Sequence, residues 1–288
     1  MTGLLKRAQS VLADVTPTFT TWAKRSGFKR AAILSPVSTA SGVYYYVTDS
    51  FEMDSTEIAR FHESADFWRE TLSKAFEWQC FSFDFNELDK FRKFFDDDVF
   101  DRISKIFFLP FGDKDHPYIF VTVELDDDDD IFLEVASETA VRLKNIKEFQ
   151  NQENKLLSKI DSNLDKGFEI SSGMLFILSL KLWIEESIKN VEIENEELKD
   201  AITESIAKSA MTIMSPLIRA PNCIHIGKKG EIKIVLFAKD EPDEQLLAHH
   251  ISRTLRDLLG RTDNAKAMLL SAGNCMNKKG ATAFLTQE

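Results

Sequence analysis

The chain alternates between two hydrophobic rhythms. Period-two runs rich in β-branched and aromatic residues mark strands, and stripes spaced three and four residues apart mark helices. Arg30–Val37 and Val43–Asp49 read as strands, the second carrying Tyr44, Tyr45 and Tyr46, and Ser38–Gly42 between them as a small-residue turn, so the pair predicts a hairpin. Leu4–Trp22 reads as one helix, or as two split near Pro17. Ser55–Glu70 is predicted as a helix capped by Asp54 or Ser55, with Ile58, Phe61, Ala65 and Trp68 on one face. Phe76–Phe85 alternates aromatic and polar residues as a strand does, and Glu87–Phe95 reads as a short helix. Lys105–Phe111 and Tyr118–Leu125 are apolar strands joined by the loop Gly112–Pro117, and Ile131–Lys155 is predicted as a long helix.

The second half repeats the mixture. Met174–Leu180 is a short apolar strand, and Glu185–Met214 a long helix with Ile202, Ile206, Ala210 and Ile213 on one stripe. Gly227–Gly230 is a tight turn feeding the strand Ile232–Leu236. Asp243–Leu259 is amphipathic and stops at Gly260, before a last strand at Ala267–Gly273. The fold class predicted is α+β, with two domains, each an antiparallel-type central sheet flanked by helices.

Composition places the boundary. Most of the 23 phenylalanines precede residue 133, so the halves differ in kind. Lys147–Lys166 is polar, with Leu156, Leu157, Ile160 and Leu164 giving too few heptads for a coiled coil. The expected division is a domain over residues 1–146, a helical linker over 147–170 and a domain over 171–288. Hydrophobic residues make up 43% of the chain, enough for two real cores. A net charge of −11 without a basic cluster argues against nucleic acid and anionic membrane as partners. Cys80, Cys223 and Cys275 are scattered, so neither a zinc site nor a disulfide framework is expected, which fits the cytoplasm. Met1–Ser26 lacks the long apolar core and small-residue cleavage site of a secretory signal, and no apolar run approaches the roughly 20 residues of a membrane span.

Few clusters of candidate chemistry survive inspection. Asp126–Asp130 lacks the alternation and the turn glycine of a calcium loop and reads as a solvated acidic loop. His249 and His250 are adjacent on a helix, so they point about 100° apart and cannot share a metal. Tyr44, Tyr46, Phe81, Phe83, Phe107, Tyr118 and Phe120 fall on predicted strands, where they serve either as sheet core or as the lining of a ligand pocket.

The stretch Arg219–Leu236 resembles the signature region of diguanylate cyclases, the GGDEF family. Arg219-Ala220-Pro221-Asn222 stands where that family has its Arg-x-x-Asp inhibitory site. Lys228, Lys229, Gly230, Glu231 and Ile232 stand in the Gly-Gly-Asp-Glu-Phe slot at the family's offset, with only Glu231 kept. The flanking order of strand, helix, hairpin, helix and strand also agrees. The resemblance implies a five-stranded sheet with the Lys228–Gly230 turn at a hairpin tip. It also implies a metal-holding aspartate at the first-strand position, here Ser179, and another at Gly230. Neither residue is a carboxylate, so no catalysis, cofactor or metal is expected. Arg219, Asn222, Lys228 and Lys229 remain as candidates for holding an anion or nucleotide.

Residues 1–150 are similar in element order to GAF-type sensor domains, related to PAS, with Phe108-Leu109-Pro110 before the last hairpin as the best local match. That resemblance implies a small-molecule pocket on one face of the sheet and terminal helices on the other. The function expected is a non-catalytic cytoplasmic regulatory protein, working with a protein partner or as a homodimer. Its alternatives are a scaffolding module without a ligand, and an enzyme of unrelated chemistry in the first pocket.

Overall fold

The computed structural model describes residues 18–72, 77–82, 87–126, 133–150, 153–193, 195–238, 244–259 and 268–286. Most of the predicted first helix, Phe83 and Asp127–Asp130 lie outside them, as do the side chains of Leu156 and Leu157.

The first half forms a six-stranded antiparallel sheet. Helix α1 (Phe19–Arg25) precedes the hairpin of β1 (Arg30–Thr39) and β2 (Gly42–Phe51). Next come α2 (Ser55–Arg60), the two-residue β3 (Glu63–Ser64), α3 (Ala65–Thr71) and β4 (Gln79–Ser82). A 3-10 segment (Asp89–Phe94) and α4 (Asp97–Phe100) lead to the hairpin of β5 (Ile103–Phe111) and β6 (Tyr118–Leu125). The strand order is β3-β2-β1-β6-β5-β4.

The predicted helix over residues 55–70 is two helices. Asp54 caps the first in a capping box with Glu57, and Ser64 accepts the Phe67 N–H to cap the second. Phe61, at ψ 58°, ends the first, and the short bridge to β2 takes the gap.

Helices α5 (Ala136–Gln150) and α6 (Glu153–Phe168) connect to a second sheet. It contains β7 (Gly173–Ser179), β8 (Cys223–Ile226), β9 (Glu231–Phe237) and β10 (Met268–Cys275) in the order β10-β7-β9-β8, all pairs antiparallel. Helices α7 (Lys181–Ile188) and α8 (Glu196–Met214) lie between β7 and β8, and α9 (Glu244–Thr254) and α10 (Arg256–Leu259) between β9 and β10, before the final α11 (Lys278–Thr286). This β-α-β-β-α-β order is the split β-α-β arrangement. The sheet has four strands among the described residues, where five are implied by the cyclase resemblance. The single helix expected over 185–214 is again two, because Asn195 accepts the Leu198 N–H and starts α8 afresh.

The α+β class therefore holds, with two antiparallel sheets flanked by helices. Strand alternation assigns the faces. In the first sheet, Ala31, Ile33, Leu109, Phe111 and Phe120 meet Phe19 and Trp22 of α1 and Leu143 and Ile146 of α5. In the second, Leu175, Val235 and Phe237 meet Ile160 and Leu164 of α6 and Leu285 of α11. The opposite faces share one core. Ala32, Leu34, Val47, Phe108 and Val121 belong to the same buried cluster as Phe176, Leu178, Ile232 and Ile234. Helix α8 mediates this sharing: it touches β1 and β2 on one side and β8 and β9 on the other, burying Ile202, Ile206 and Ala210 completely. Polar contacts cross the same seam. Ser55 Oγ lies 2.6 Å from Ser187 Oγ, and Ser50 Oγ 3.0 Å from Ser209 Oγ. The Asn195 side-chain amide donates to Ser41 Oγ at 3.1 Å.

Candidate functional site

The candidate site begins with an irregularity in the β1–β2 pairing. Ile33 opposes Asp49, but the next residue, Leu34, opposes Val47, so Thr48 is an extra residue on β2. Such a bulge bends its strand and re-aims side chains. Asp49 is the only charged residue in β2, and its side chain is almost wholly buried at 5% exposure.

Two lysines from distant elements converge on it. Lys147, near the end of α5, donates to Asp49 Oδ2 at 2.9 Å and to Thr48 Oγ1 at 2.9 Å. Lys208 of α8 donates to Asp49 Oδ1 at 3.2 Å and to the Thr48 carbonyl at 3.2 Å. Ser35 Oγ of β1 lies 2.8 Å from Thr48 Oγ1. Lys147 is buried because it continues the inward line Thr139–Leu143 at four-residue spacing. Its ammonium also stands 5.4 Å from the centre of the Tyr118 ring.

Burial pushes the Asp49 carboxyl upward, but Lys208 and Lys147 outweigh it and hold the group below the usual carboxylate range. Burial pulls the Lys147 ammonium down from its ordinary value, Lys208 adds to that pull, and Asp49 counters it. The Tyr46 phenol is pushed up by burial first, then by Glu204, Asp49 and Tyr118.

Lys147, Lys208, Ser35, Thr48, Tyr46 and Tyr118 wall a cleft of about 300 Å³, completed by Pro36 and by Ala201, Glu204 and Ser205 of α8. Asp49 is not part of its lining and meets the cleft through the two lysines and Thr48. Ser205 is 4% exposed, and its hydroxyl has no hydrogen-bond partner among the described residues. The cleft thus draws on the first sheet, the helix that leaves it, and a helix of the second unit.

Of the aromatics that sequence places on strands, Tyr46 and Tyr118 line this cleft. Tyr44 is half-buried against the shared core. Phe81 meets Phe91 and Phe108 edge to face, Phe107 is buried, and Phe120 is enclosed by Phe19, Trp22 and Phe28.

The signature-like stretch forms the β8–β9 hairpin. The Gly227 N–H donates to the Glu231 carbonyl at 2.8 Å, and Lys228 to Gly230 make the tip. Lys229 and Gly230 have φ of 53° and 76°. The tip adjoins the end of β7: Ser179 pairs with Glu231, and the Leu180 N–H donates to the Gly230 carbonyl at 3.0 Å. A Cβ on Gly230 would stand 2.5 Å from Cδ1 of Ile184 in α7, so no side chain fits there without a shift. Arg219 and Asn222 are elsewhere. Asn222 Oδ1 accepts the Phe237 N–H at 2.8 Å, at the far end of β9, six residues or roughly 20 Å from Glu231. The Arg219 Nε–H donates to the Pro216 carbonyl at 2.9 Å. The four candidate anion-holding residues therefore do not form one cluster.

Among the described residues, no three His, Cys, Asp or Glu side chains are grouped to hold a metal ion, and no helix is long and apolar enough to cross a membrane. Comparison of the chain with protein-family models and with curated proteins gives no match.

Proposed function

We propose that the chain is a non-catalytic regulatory protein in which occupancy of the Asp49 cleft is relayed to the second sheet. The observation that carries this reading is the meeting of Lys147 and Lys208 on one buried carboxylate. A molecule that draws on Lys147 and Lys208 in the cleft alters their hold on that carboxylate, and so acts at once on the sensor-like sheet, on its exit helix and on α8, whose other side packs on β8 and β9. Coupling of this kind requires only that the ligand bind one packing arrangement better than another. The first unit, with its antiparallel sheet and outer helices, fits the GAF-like part of the proposal. The second is proposed as a cyclase-like unit without cyclase chemistry, with Ser179 and Gly230 at positions where the family needs carboxylates. The packing of Ile184 on Gly230 supports that reading, because it fills the space such a side chain needs.

Two measurements test the proposal. Incubation with GTP and magnesium or manganese should give no cyclic di-GMP; turnover abolished by Glu231→Gln would overturn the non-catalytic part. Asp49→Asn should speed hydrogen exchange in α8 and in the β8–β9 hairpin as well as in β2. Exchange altered in β2 alone would remove the relay.

A further inference from the structure

We infer that the Asp49 cleft binds a compact oxyanion, a carboxylate or phosphate group on a small molecule. The inference rests on the regulatory reading and names the chemistry of its signal.

The charges supply the first argument. Two ammonium groups contact one carboxylate, leaving one positive charge in excess. Lys147 and Asp49 are sheltered, at 8% and 5% side-chain exposure, and Lys208 is partly so at 35%, so water screens the cluster only from the cleft side. Glu204 is the opposing charge on the cleft wall, but it is exposed at the rim and bonded to neither lysine. An anion that enters the cleft completes the neutralisation that Asp49 begins.

Donor geometry supplies the second. An ammonium has three donors, and Lys147 and Lys208 each spend two on Thr48 and Asp49. One donor remains on each. The Ser205 hydroxyl, buried in the same wall and without a partner, is a third. Convergent donors, two of them charged, are what an oxyanion requires, and charge-assisted hydrogen bonds are the strong ones. Size supplies the third: about 300 Å³ is at the small end of ligand pockets, which limits the molecule to a compact one.

The test uses the full chain at matched ionic strength, with inorganic phosphate, malonate and succinate as probes and malonamide and succinamide as neutral controls. At least one anion should raise the melting temperature saturably and slow exchange in β2 and α8, while the diamides should not. The phosphate and dicarboxylate arms separate the two sources of the oxyanion. Lys208→Gln should weaken the effective anion at least tenfold, and Lys208→Arg should retain binding. Lys208→Gln also strips a partner from Asp49, so Ser205→Ala, which leaves the ion cluster intact, is the second variant. It should weaken binding several-fold, and Lys199→Gln, on the exposed part of the same helix, should not. An anion effect indifferent to both Lys208→Gln and Ser205→Ala, or no saturable effect from any of the three anions, overturns the oxyanion assignment. Equal binding of a diamide overturns it too, yet leaves the relay intact, since the relay is judged by the exchange response of Asp49→Asn alone.

Discussion

Single residues carry sharply defined costs in this fold. Glu57 is the clearest. Its side chain is 2% exposed, and burial pushes its carboxyl up from 4.5 to about 7, against the pull of Arg30, with which it forms an ion pair. The folded state therefore holds this proton more tightly than the unfolded chain does. The contribution to stability is greatest below pH 4.5 and is lost as the pH rises to about 7, on the order of 3 kcal/mol across that window. Urea unfolding of Glu57→Gln from pH 4.5 to 8 should lack that decline; the same slope as the parent protein would place the titration elsewhere. Gly230 is the second case, because its φ of 76° and the closeness of Ile184 both resist a side chain. Gly230→Ala should destabilise by about 1–3 kcal/mol. Ile184→Val in the same chain should recover part of that loss and not all of it, because trimming Ile184 leaves the backbone strain in place. Full recovery in a denaturant titration would show that only the clash mattered.

At the scale of elements, the strands were largely legible and the helix ends were not. Both long hairpins sit within a few residues of their predicted bounds, because β-branched and aromatic alternation is a local signal. The helices predicted over 55–70 and 185–214 each divide, since Ser64 and Asn195 look in sequence like ordinary surface polar residues but in the fold cap a new helix. Asn195→Ala should cost about 0.5–2 kcal/mol, read from the unfolding midpoint, with no change in overall helix content beyond the first turn of α8. The site was half visible. Tyr46 and Tyr118 could be named from strand alternation, whereas Asp49, Lys147 and Lys208 could not be joined. Lysines on helices usually read as solvated, and these contacts span 98 and 159 residues, a separation that leaves no local pattern. The one available hint was Asp49 itself, a lone charge in an otherwise uncharged strand. The break between the expected anion-holding residues was invisible for a different reason: Arg219 and Lys228 are close in sequence, but an extended strand carries them apart.

For the molecule as a whole, the shared core decides how the halves behave. Nicking within residues 147–166, the boundary read from composition, should give two pieces that remain together on size exclusion, because Ile202, Ile206 and Ala210 stay buried among residues of the first half. Pieces that separate in native buffer would show the interface to be weak. Ile206→Ala, at the centre of that interface, should cost about 2–5 kcal/mol and lower the stability of both sheets together. Melting of one sheet alone, followed by circular dichroism and Trp183 fluorescence, would contradict this. The position of α8 has a further consequence during synthesis. Lys208 follows Asp49 by 159 residues, so at ~5–20 residues per second the ribosome delivers the partner of β2 roughly 8–30 s after the strand itself. For that interval the part of the first sheet formed by β1 and β2 has emerged without the helix that packs on it. A nascent chain of this kind is a natural client for a chaperone, and its yield should depend more on translation speed across residues 126–214 than on the final stability of either half.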